Sequence, residues 1–289
     1  VLKESRLQVV EDLKKWSGKL VEFKYTKNIS STQIKKSVLS LSSIKQSRTS
    51  ILKRLINSKD LVRIIEAHSP LVGLIIENLK FEEKNKNIEF DGMWSSSLTE
   101  SLIRGKPDNQ SVELSTRINA LSDVLDLTTK PFIFDADNGG RIEHLPYTIN
   151  SMERQGVSAI VIEDKIGLKR NSLFKNQKST QHDSIRNFCK KISVIKNSRK
   201  SDDFLIVARI ESFILGKGLN DALKRADSYS KAGADAILIH SKENTPKQIF
   251  SFAKEFKKSK YFKPMIAVPS SYSKTYEKDL IKNGFSVVI

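Results

Sequence analysis

Short apolar runs of strand length recur along this chain, and stretches with a helical spacing of apolar residues separate them. The runs cover residues 61–66, 92–94, 131–135, 159–163, 204–209, 236–240, 265–268 and 285–289. Strands that alternate with helices form parallel β/α units, because each helix carries the chain back to the start of the next strand. Eight such units over this length predict an α/β fold, a (β/α)₈ barrel of the TIM type.

The beginning of the chain has a different pattern. Residues 5–16 predict an amphipathic helix, and residues 37–50 are serine-rich and polar, which is typical of a linker. We therefore predict a short extension from a preceding domain over residues 1–40, a linker over 41–50 and the barrel over 51–289. The sequence begins at Val1 and stops inside a predicted strand. We expect it to be a segment of a longer protein, with the barrel truncated at its carboxyl end.

Composition limits the classes of protein to which the chain can belong. No apolar run approaches the ~20 residues that cross a bilayer, and no secretory signal is present. Cys189 is the single cysteine, which excludes an intrachain disulfide and a cysteine-rich zinc site. We therefore expect a cytoplasmic protein that does not act on membranes.

The net charge of +17 needs an explanation. Lysine and arginine are spread along the whole chain and are not interleaved with aromatic residues, so a lysine-rich solvated surface is favoured over nucleic-acid binding. A basic nucleic-acid-binding protein is kept as a remote alternative. A basic surface would also attract a phosphorylated, anionic substrate.

Carboxylates follow two neighbouring predicted strands. Asp135 and Asp137 belong to the sequence DADNGG, Glu163 begins EDKIGLKRNS, and Asp108 lies in GKPD. Because the carboxyl ends of successive parallel strands converge on one face, we expect these side chains to lie together. One acidic turn would be typical of simple capping, but two in neighbouring units favour a Mg²⁺ site beside a small anion.

Further candidate residues follow the predicted strands on the same face. They are Lys165, Lys169, Arg170, Asn171 and Ser172 after the fourth strand, Arg209 and His240 at later strand ends, and Trp94, Ser95, Ser96, Ser97 and Leu98 after the second. The basic loop can close over a phosphorylated substrate and exclude water, whereas a solvated surface loop would be the default interpretation without the adjacent carboxylates. A charge at the end of an apolar strand, such as Arg209, is unusual unless it is paired, and Glu211 is the candidate partner.

From about residue 51 to residue 289 the chain resembles the phosphoenolpyruvate phosphomutase family of the isocitrate lyase/phosphoenolpyruvate mutase superfamily. The resemblance rests on INSKDLVRIIEAHSPL, WSSSLTES, GKPD, DADNGG, EDKIGLKRNSLF, DFLIVARIES, ALKRADSYSKAGADAILIHSK and VPSSY. The lyases of the superfamily carry Cys-Gly-His where Asn171-Ser172 stands here, and the phosphonopyruvate hydrolases differ at Asn171. The mutase is therefore the expected activity, with phosphonopyruvate hydrolase or C–C lyase as alternatives. Residues 25–36 are similar to a segment near the end of cytidylyltransferase domains.

The resemblance implies a reaction and a role for each site residue. The reaction would interconvert phosphoenolpyruvate and phosphonopyruvate by intramolecular phosphoryl transfer, the first step of phosphonate biosynthesis, with Mg²⁺ as cofactor. Asp135 would contact the metal directly, and Asp108, Asp137 and Glu163 mainly through water. The implied catalytic residues are Lys169, Asn171, Arg209 and His240, and the implied substrate-binding residues are Trp94, Ser96, Ser97, Leu98 and Ser172. The family also implies a homodimer or tetramer formed by a swapped helix that would follow Ile289.

Overall fold

The computed structural model describes residues 2–18, 44–83, 86–167, 169–174 and 181–289. The chain divides into two compact units, Val1–Leu41 and Ser42–Ile289. In the first unit helix α1 spans Leu2–Lys14, which confirms the helix predicted there. Residues 25–36, which resemble the cytidylyltransferase segment, lie outside the described residues.

The second unit contains a closed barrel of eight parallel strands, as the sequence predicts. Around the barrel the strand order is β1-β10-β9-β8-β7-β6-β5-β4, and β4 pairs with β1 to close it. The strands are β1 (Val62–Glu66), β4 (Gly92–Ser95), β5 (Phe132–Asp135), β6 (Ala159–Glu163), β7 (Leu205–Ile210), β8 (Ala236–Ile239), β9 (Met265–Ala267) and β10 (Phe285–Val288). Each lies within one or two residues of a predicted run.

Helices precede the barrel and connect its strands. They are α2 (Ile44–Ser58), α3 (Pro70–Asn78), α4 (Ser97–Leu102), α5 (Leu114–Asp126), α6 (Leu145–Gln155), α7 (Ile185–Ser198), α8 (Gly218–Ala232), α9 (Lys247–Phe256) and α10 (Glu277–Asn283). Among the helices that the structure describes, none is long and apolar enough to cross a membrane.

Burial on both faces explains why the barrel strands were recognisable. Leu205 and Val207 of β7 pack inside the barrel, whereas Ile206 and Ala208 of the same strand pack against the surrounding helices. Successive side chains of a strand point to opposite faces. Since both faces are apolar, such strands read as continuous apolar runs without polar alternation.

A two-stranded antiparallel hairpin was missed by the sequence reading. It joins β2 (Lys80–Glu83) to β3 (Lys86–Glu89). The segment is rich in lysine and glutamate, which are depleted in strands. Its pairing is held by local backbone bonds outside the barrel, so no apolar run marks it.

The predicted linker at 41–50 is corrected by the structure, since most of it forms the first turns of α2. Arg48 is buried there, and its Nη2 donates to the carbonyl oxygen of Leu125 at 2.6 Å. The hydroxyl of Ser158 donates to the carbonyl of Arg48 at 2.9 Å. A serine-rich composition indicates a linker only where the segment stays in water, and here contacts with the barrel order it instead.

Helix α8 ends where the sequence predicts. Ala222, Ala226 and Tyr229 are buried along one face at helical spacing. Gly233 then adopts a φ of 119°, and its N–H bonds to the carbonyl of Tyr229 at 3.1 Å. This left-handed conformation at the helix end favours glycine because it has no Cβ.

Candidate active site

A cavity opens at the carboxyl ends of the barrel strands, and it brings together all but one of the residues to which the family resemblance assigns a role. Its lining comprises Trp94, Ser96, Ser97, Leu98, Asp108, Asp135, Glu163, Lys169, Arg170, Asn171, Ser172, Leu173, Arg209, His240, Val268 and Ser270. The exception is Asp137, which is buried next to the cavity. Active sites of barrels of this type lie at this face.

The acidic turn after β5 places its two aspartates differently. Asp135 ends the strand, and its Oδ1 accepts the N–H of Asp137 at 3.0 Å. Asp137 adopts a φ of 53°, so the chain does not continue as a strand. Gly139 packs against Ile162, where an added Cβ would lie 3.1 Å from Cγ2. The turn thereby puts Asp135 at the cavity and Asp137 beneath it.

A buried arginine that the sequence reading missed supports this turn. Arg117 of α5 donates from Nε to Glu100 at 2.7 Å and from Nη1 to Asp137 at 3.4 Å. Its guanidinium lies over the ring of Phe134, 4.7 Å from the centroid. Ser95 is bonded to both Arg117 and Glu100. An arginine in an amphipathic helix gives no signal of burial, because only the packing of α5 on the barrel encloses it.

The ammonium group of Lys169 lies among the carboxylates. It contacts Asp108 at 2.6 Å, and it also contacts Asp137 and the hydroxyl of Ser97. Burial would lower the pKa of Lys169, but the surrounding aspartates and Glu163 outweigh it and raise that pKa. Burial acts in the opposite sense on Asp135, where Lys169, Arg209 and Arg117 nevertheless lower the pKa of the carboxyl. The carboxylates at this end of the cavity therefore lie around the positive charge of Lys169.

The four carboxylates predicted to bind a metal ion do not form a preformed binding site. Across the described ranges, no group of three acidic, histidine or cysteine side chains is close enough to surround a metal ion. The available donors, Asp108, Asp135, Glu163 and the Ser97 hydroxyl, are all oxygens, which hard divalent cations prefer. This set fits a cation held by few direct ligands, and it does not fit a soft metal.

A second cluster lies at the end of β7. Arg209 donates from Nε to Glu211 at 2.7 Å, and its Nη2 lies 2.9 Å from Nδ1 of His240 and 3.5 Å from Glu163. Nδ1 of His240 is also 2.9 Å from Glu211. Burial and the adjacent Arg209 lower the pKa of His240, which favours the neutral form of the imidazole. The expectation that Glu211 pairs with Arg209 is confirmed.

Residues Lys169–Ser172, which we call the capping loop, are docked over the cavity. Asn171 Nδ2 lies 3.4 Å from Asp108. The buried hydroxyl of Ser172 donates to Glu211 at 2.5 Å and accepts from Arg209 at 3.0 Å. The predicted loop therefore faces the cavity, but the Ser172 hydroxyl is already hydrogen-bonded to Glu211 and Arg209.

Lys165 holds the capping loop from below. Its Nζ donates to the carbonyl of Arg170 at 3.0 Å and to the hydroxyl of Ser172 at 2.8 Å. It also lies 3.5 Å from Glu211. The sequence does not distinguish a buried lysine that bonds a backbone carbonyl five residues away from a solvated lysine.

The other wall of the cavity is formed after β4. Trp94 is 7% exposed and packs with the apolar interior of the barrel. Ser96 is the N-cap of α4, and its hydroxyl accepts the N–H of Thr99 at 3.5 Å. The first N–H groups of a helix have no intrahelical partner. The amides of Ser97 and Leu98 are therefore available to an anion beside a flat apolar surface.

Glu163 gives a testable dependence of stability on pH. Burial, together with Glu211, outweighs Arg209 and Lys165 and raises the pKa of Glu163 to about 7. This pKa exceeds the ordinary value of 4.5. The stability that the neutral Glu163 carboxyl contributes is therefore fully present below pH 4.5 and is lost as the pH rises through about 7. We expect the difference in the free energy of unfolding between Glu163→Gln and wild type to shift in favour of the variant by on the order of 3 kcal/mol from about pH 5 to about pH 8.

Urea unfolding of both proteins at the two pH values, with a metal chelator present, measures this effect. Glu243→Gln is the matched control, because the Glu243 side chain is exposed, and its difference from wild type should not change with pH. A Glu163→Gln difference that is equally constant would contradict the assignment.

Comparison with known proteins places the chain among related enzymes. The sequence model of the family described as "Phosphoenolpyruvate phosphomutase" matches residues 52–289. The phosphoenolpyruvate phosphomutase of Tetrahymena pyriformis is 36% identical over 243 residues, covering 84% of this chain and 77% of the relative. The phosphoenolpyruvate phosphomutase structure from Streptomyces platensis subsp. rosaceus superposes with a TM-score of 0.75 at 30% identity, covering 83% of this chain and 79% of that one. A phosphonopyruvate hydrolase complexed with oxalate and Mg²⁺ has a TM-score of 0.73 at 29% identity, with 84% and 80% covered.

Proposed function

The chain belongs to the phosphoenolpyruvate phosphomutase family, and on that premise we propose that it interconverts phosphoenolpyruvate and phosphonopyruvate. The family is one of enzymes in the phosphoenolpyruvate mutase/isocitrate lyase superfamily. Its relatives include mutases and hydrolases, so the particular reaction is argued from the residues of this chain.

The observation that carries the proposal is the distribution of charge in one capped cavity. Arg209 lies beside His240, and both line the cavity together with Asn171 and Asp135. Phosphoryl transfer passes through a loose, metaphosphate-like state whose negative charge is spread over three oxygens. Donors fixed around that charge stabilise it without reorganisation.

We assign the roles as follows. Trp94 packs against the planar pyruvyl group, while Ser96 and the amides of Ser97 and Leu98 bind its carboxylate and carbonyl oxygens. Arg209, His240 and Asn171 face the migrating phosphoryl group. The bond from phosphorus to the enol oxygen breaks, and phosphorus then bonds to the methylene carbon of the resulting enolate.

The capping loop is the element that excludes water. Lys169, Asn171 and Ser172 contact groups on both sides of the cavity, so the loop spans its mouth. If water reached the phosphoryl group, the products would be pyruvate and phosphate in place of the isomer. Closure therefore decides between mutase and hydrolase chemistry.

The cofactor that suits these donors is Mg²⁺. The residues that would hold it are Asp135 directly and Asp108, Asp137 and Glu163 mainly through water. A bound divalent cation supplies charge stabilisation to the enolate and carboxylate oxygens. A related structure contains Mg²⁺ with oxalate, a planar dianion that resembles pyruvate enolate in shape.

Asn171 and Ser172 separate this proposal from its rivals. A C–C lyase of the superfamily would have Cys-Gly-His at the position of Asn171-Ser172, and the hydrolases differ at Asn171. A nucleic-acid-binding role has no support from the cavity, whose lining is mixed in charge.

The reaction is tested by incubating the protein with phosphonopyruvate and following it by ³¹P NMR. We expect a phosphoenolpyruvate signal that forms in the presence of Mg²⁺ and does not form when a chelator is present from the start. Inorganic phosphate alone would make the protein a hydrolase, and no change in the spectrum would refute both activities.

We also propose a homo-oligomer, a dimer or tetramer, on the basis of apolar surface. Leu71 and Ile75 of α3 are 68% and 54% exposed, and Leu102 at the end of α4 is 62% exposed. Exposed apolar side chains of this size can mark a surface that another subunit covers. Light scattering after size-exclusion chromatography should give at least twice the mass of one chain, and a monomer at all concentrations would contradict this.

A further inference from the structure

The capping loop is connected to the barrel through two short segments, which we call its stems: Asp164–Lys165 and His182–Asp183. The stems pair with each other. The N–H of Asp183 donates to the carbonyl of Asp164 at 2.9 Å, and Lys165 and His182 form an antiparallel bridge. The position of one stem therefore fixes the other.

Helix α8 binds both stems with buried side chains. Arg225 donates from Nη1 to Asp164 Oδ2 at 3.1 Å and to the carbonyl of Asp183 at 2.9 Å. The hydroxyl of Tyr229 donates to the same Asp164 oxygen at 2.7 Å. Arg225 is oriented in turn by Asp221, which accepts from Nε at 2.9 Å. The planar guanidinium thus joins the stems in one fixed geometry.

The same aspartate supports the surface on which the loop closes. Oδ1 of Asp164 accepts the N–H of Glu211 at 2.9 Å, and Glu211 accepts the hydroxyl of Ser172 from the capping loop. The neighbouring Lys165 bonds the capping loop at Ser172 and at the carbonyl of Arg170. A rotation of Asp164 would therefore displace both Lys165, which bonds the capping loop, and Glu211, which accepts the hydroxyl of Ser172.

We propose that Arg225 and Tyr229 are positioning residues that keep the capping loop closed over the cavity. Neither lines the cavity, so they act through Asp164 and do not touch substrate. The consequence for catalysis, exclusion of water from phosphoryl transfer, rests on the proposed function. The consequence for loop closure does not.

Loop closure can be measured without substrate, as the rate at which trypsin cleaves the Arg170–Asn171 bond, followed by mass spectrometry. Proteolysis requires local opening of the chain. Tyr229→Phe removes the hydroxyl and with it two hydrogen bonds to charged groups, one donated to Asp164 and one accepted from Arg225, and should raise this rate about tenfold or more. The phenyl ring retains its packing on Phe188, 4.6 Å between centroids, so the variant folds. Arg225→Lys should raise the rate further, because the single ammonium of lysine cannot keep the bond to Asp221 that orients the side chain and also join both stems.

Arg199→Lys is the matched control. The side chain of Arg199 is only 6% exposed, and it donates to the carbonyl of Phe204 at 2.8 Å and to Asp202 at 2.9 Å. These contacts precede β7, at the end of the barrel opposite the loop. Its cleavage rate at Arg170–Asn171 should match wild type.

The second measurement is the ratio of inorganic phosphate to phosphoenolpyruvate formed from phosphonopyruvate. We expect this ratio to rise about tenfold in Tyr229→Phe, in proportion to opening, and to stay constant in Arg199→Lys. A purely structural role would lower total turnover without changing the ratio. A wild-type cleavage rate in Tyr229→Phe, or an unchanged ratio in an active enzyme, overturns the proposal. If wild type makes no phosphoenolpyruvate, the proposed function fails, and the cleavage rates alone decide this inference.

Discussion

Asn171→Ala is expected to lower the rate of phosphoenolpyruvate–phosphonopyruvate interconversion by at least about 100-fold, the usual cost of losing one donor to a transition-state charge. Asn171 stands on the capping loop, where its amide lies near Asp108 and its Oδ1 accepts the N–H of Leu173 at 2.9 Å. Alanine keeps the backbone of the loop but leaves no donor above the phosphoryl group. Initial rates by ³¹P NMR measure the loss, and circular dichroism should show an unchanged fold.

The control for this variant is Asn78→Ala. Asn78 also donates a side-chain bond, to the carbonyl of Leu74 at 2.9 Å, but it is exposed at the end of α3. Its turnover should equal that of wild type. Near-normal turnover in Asn171→Ala would remove the capping loop from the mechanism.

Arg209→Met should damage both activity and stability. We expect kcat/KM to fall by at least about 1,000-fold, the upper range for one electrostatic contact. We also expect the free energy of unfolding to fall by about 3–5 kcal/mol, because a buried ion pair is broken and one partner remains charged. That partner is Glu211, which is fully buried and whose pKa is held well below its ordinary range: burial opposes this shift, but Arg209 and His240 outweigh it.

Arg63→Met is the control for Arg209→Met, because it removes an arginine from a barrel strand outside the active site. Arg63 of β1 makes two bonds to Glu277, at 2.7 and 2.6 Å, but the pair is partly exposed. Removing it should cost about 1 kcal/mol or less and leave turnover unchanged. Steady-state kinetics and urea unfolding of the two variants make the comparison. Equal effects at both positions would show that Arg209 is a structural residue only.

The barrel was predictable because its strands are buried on both faces and each therefore appears as an apolar run. The glycine that ends α8 was predictable because a left-handed residue at a helix end favours glycine. The hairpin β2–β3 and the start of α2 were not, because charged and serine-rich sequences carry no apolar signal. The contacts of Arg48 that order α2 join residues about eighty positions apart.

The residues lining the site were predictable because the carboxyl ends of parallel strands converge. Their supports were not. Arg117 and Arg225 lie on amphipathic helices, where arginine is normally solvated, and only tertiary packing buries them. Asp137 was predicted at the cavity, but the left-handed turn of the chain at that residue places it underneath. Sequence patterns thus located the chemistry, while the network that positions it depended on contacts between distant elements.

The central claim is that the capped cavity transfers the phosphoryl group within one molecule and keeps water away from it. The most direct test is the early product ratio from phosphonopyruvate with Mg²⁺ in ¹⁸O-enriched water, measured by ³¹P NMR. The account predicts phosphoenolpyruvate in excess over phosphate, with no ¹⁸O in its phosphoryl group. Phosphate as the sole product, carrying ¹⁸O from the solvent, would contradict it.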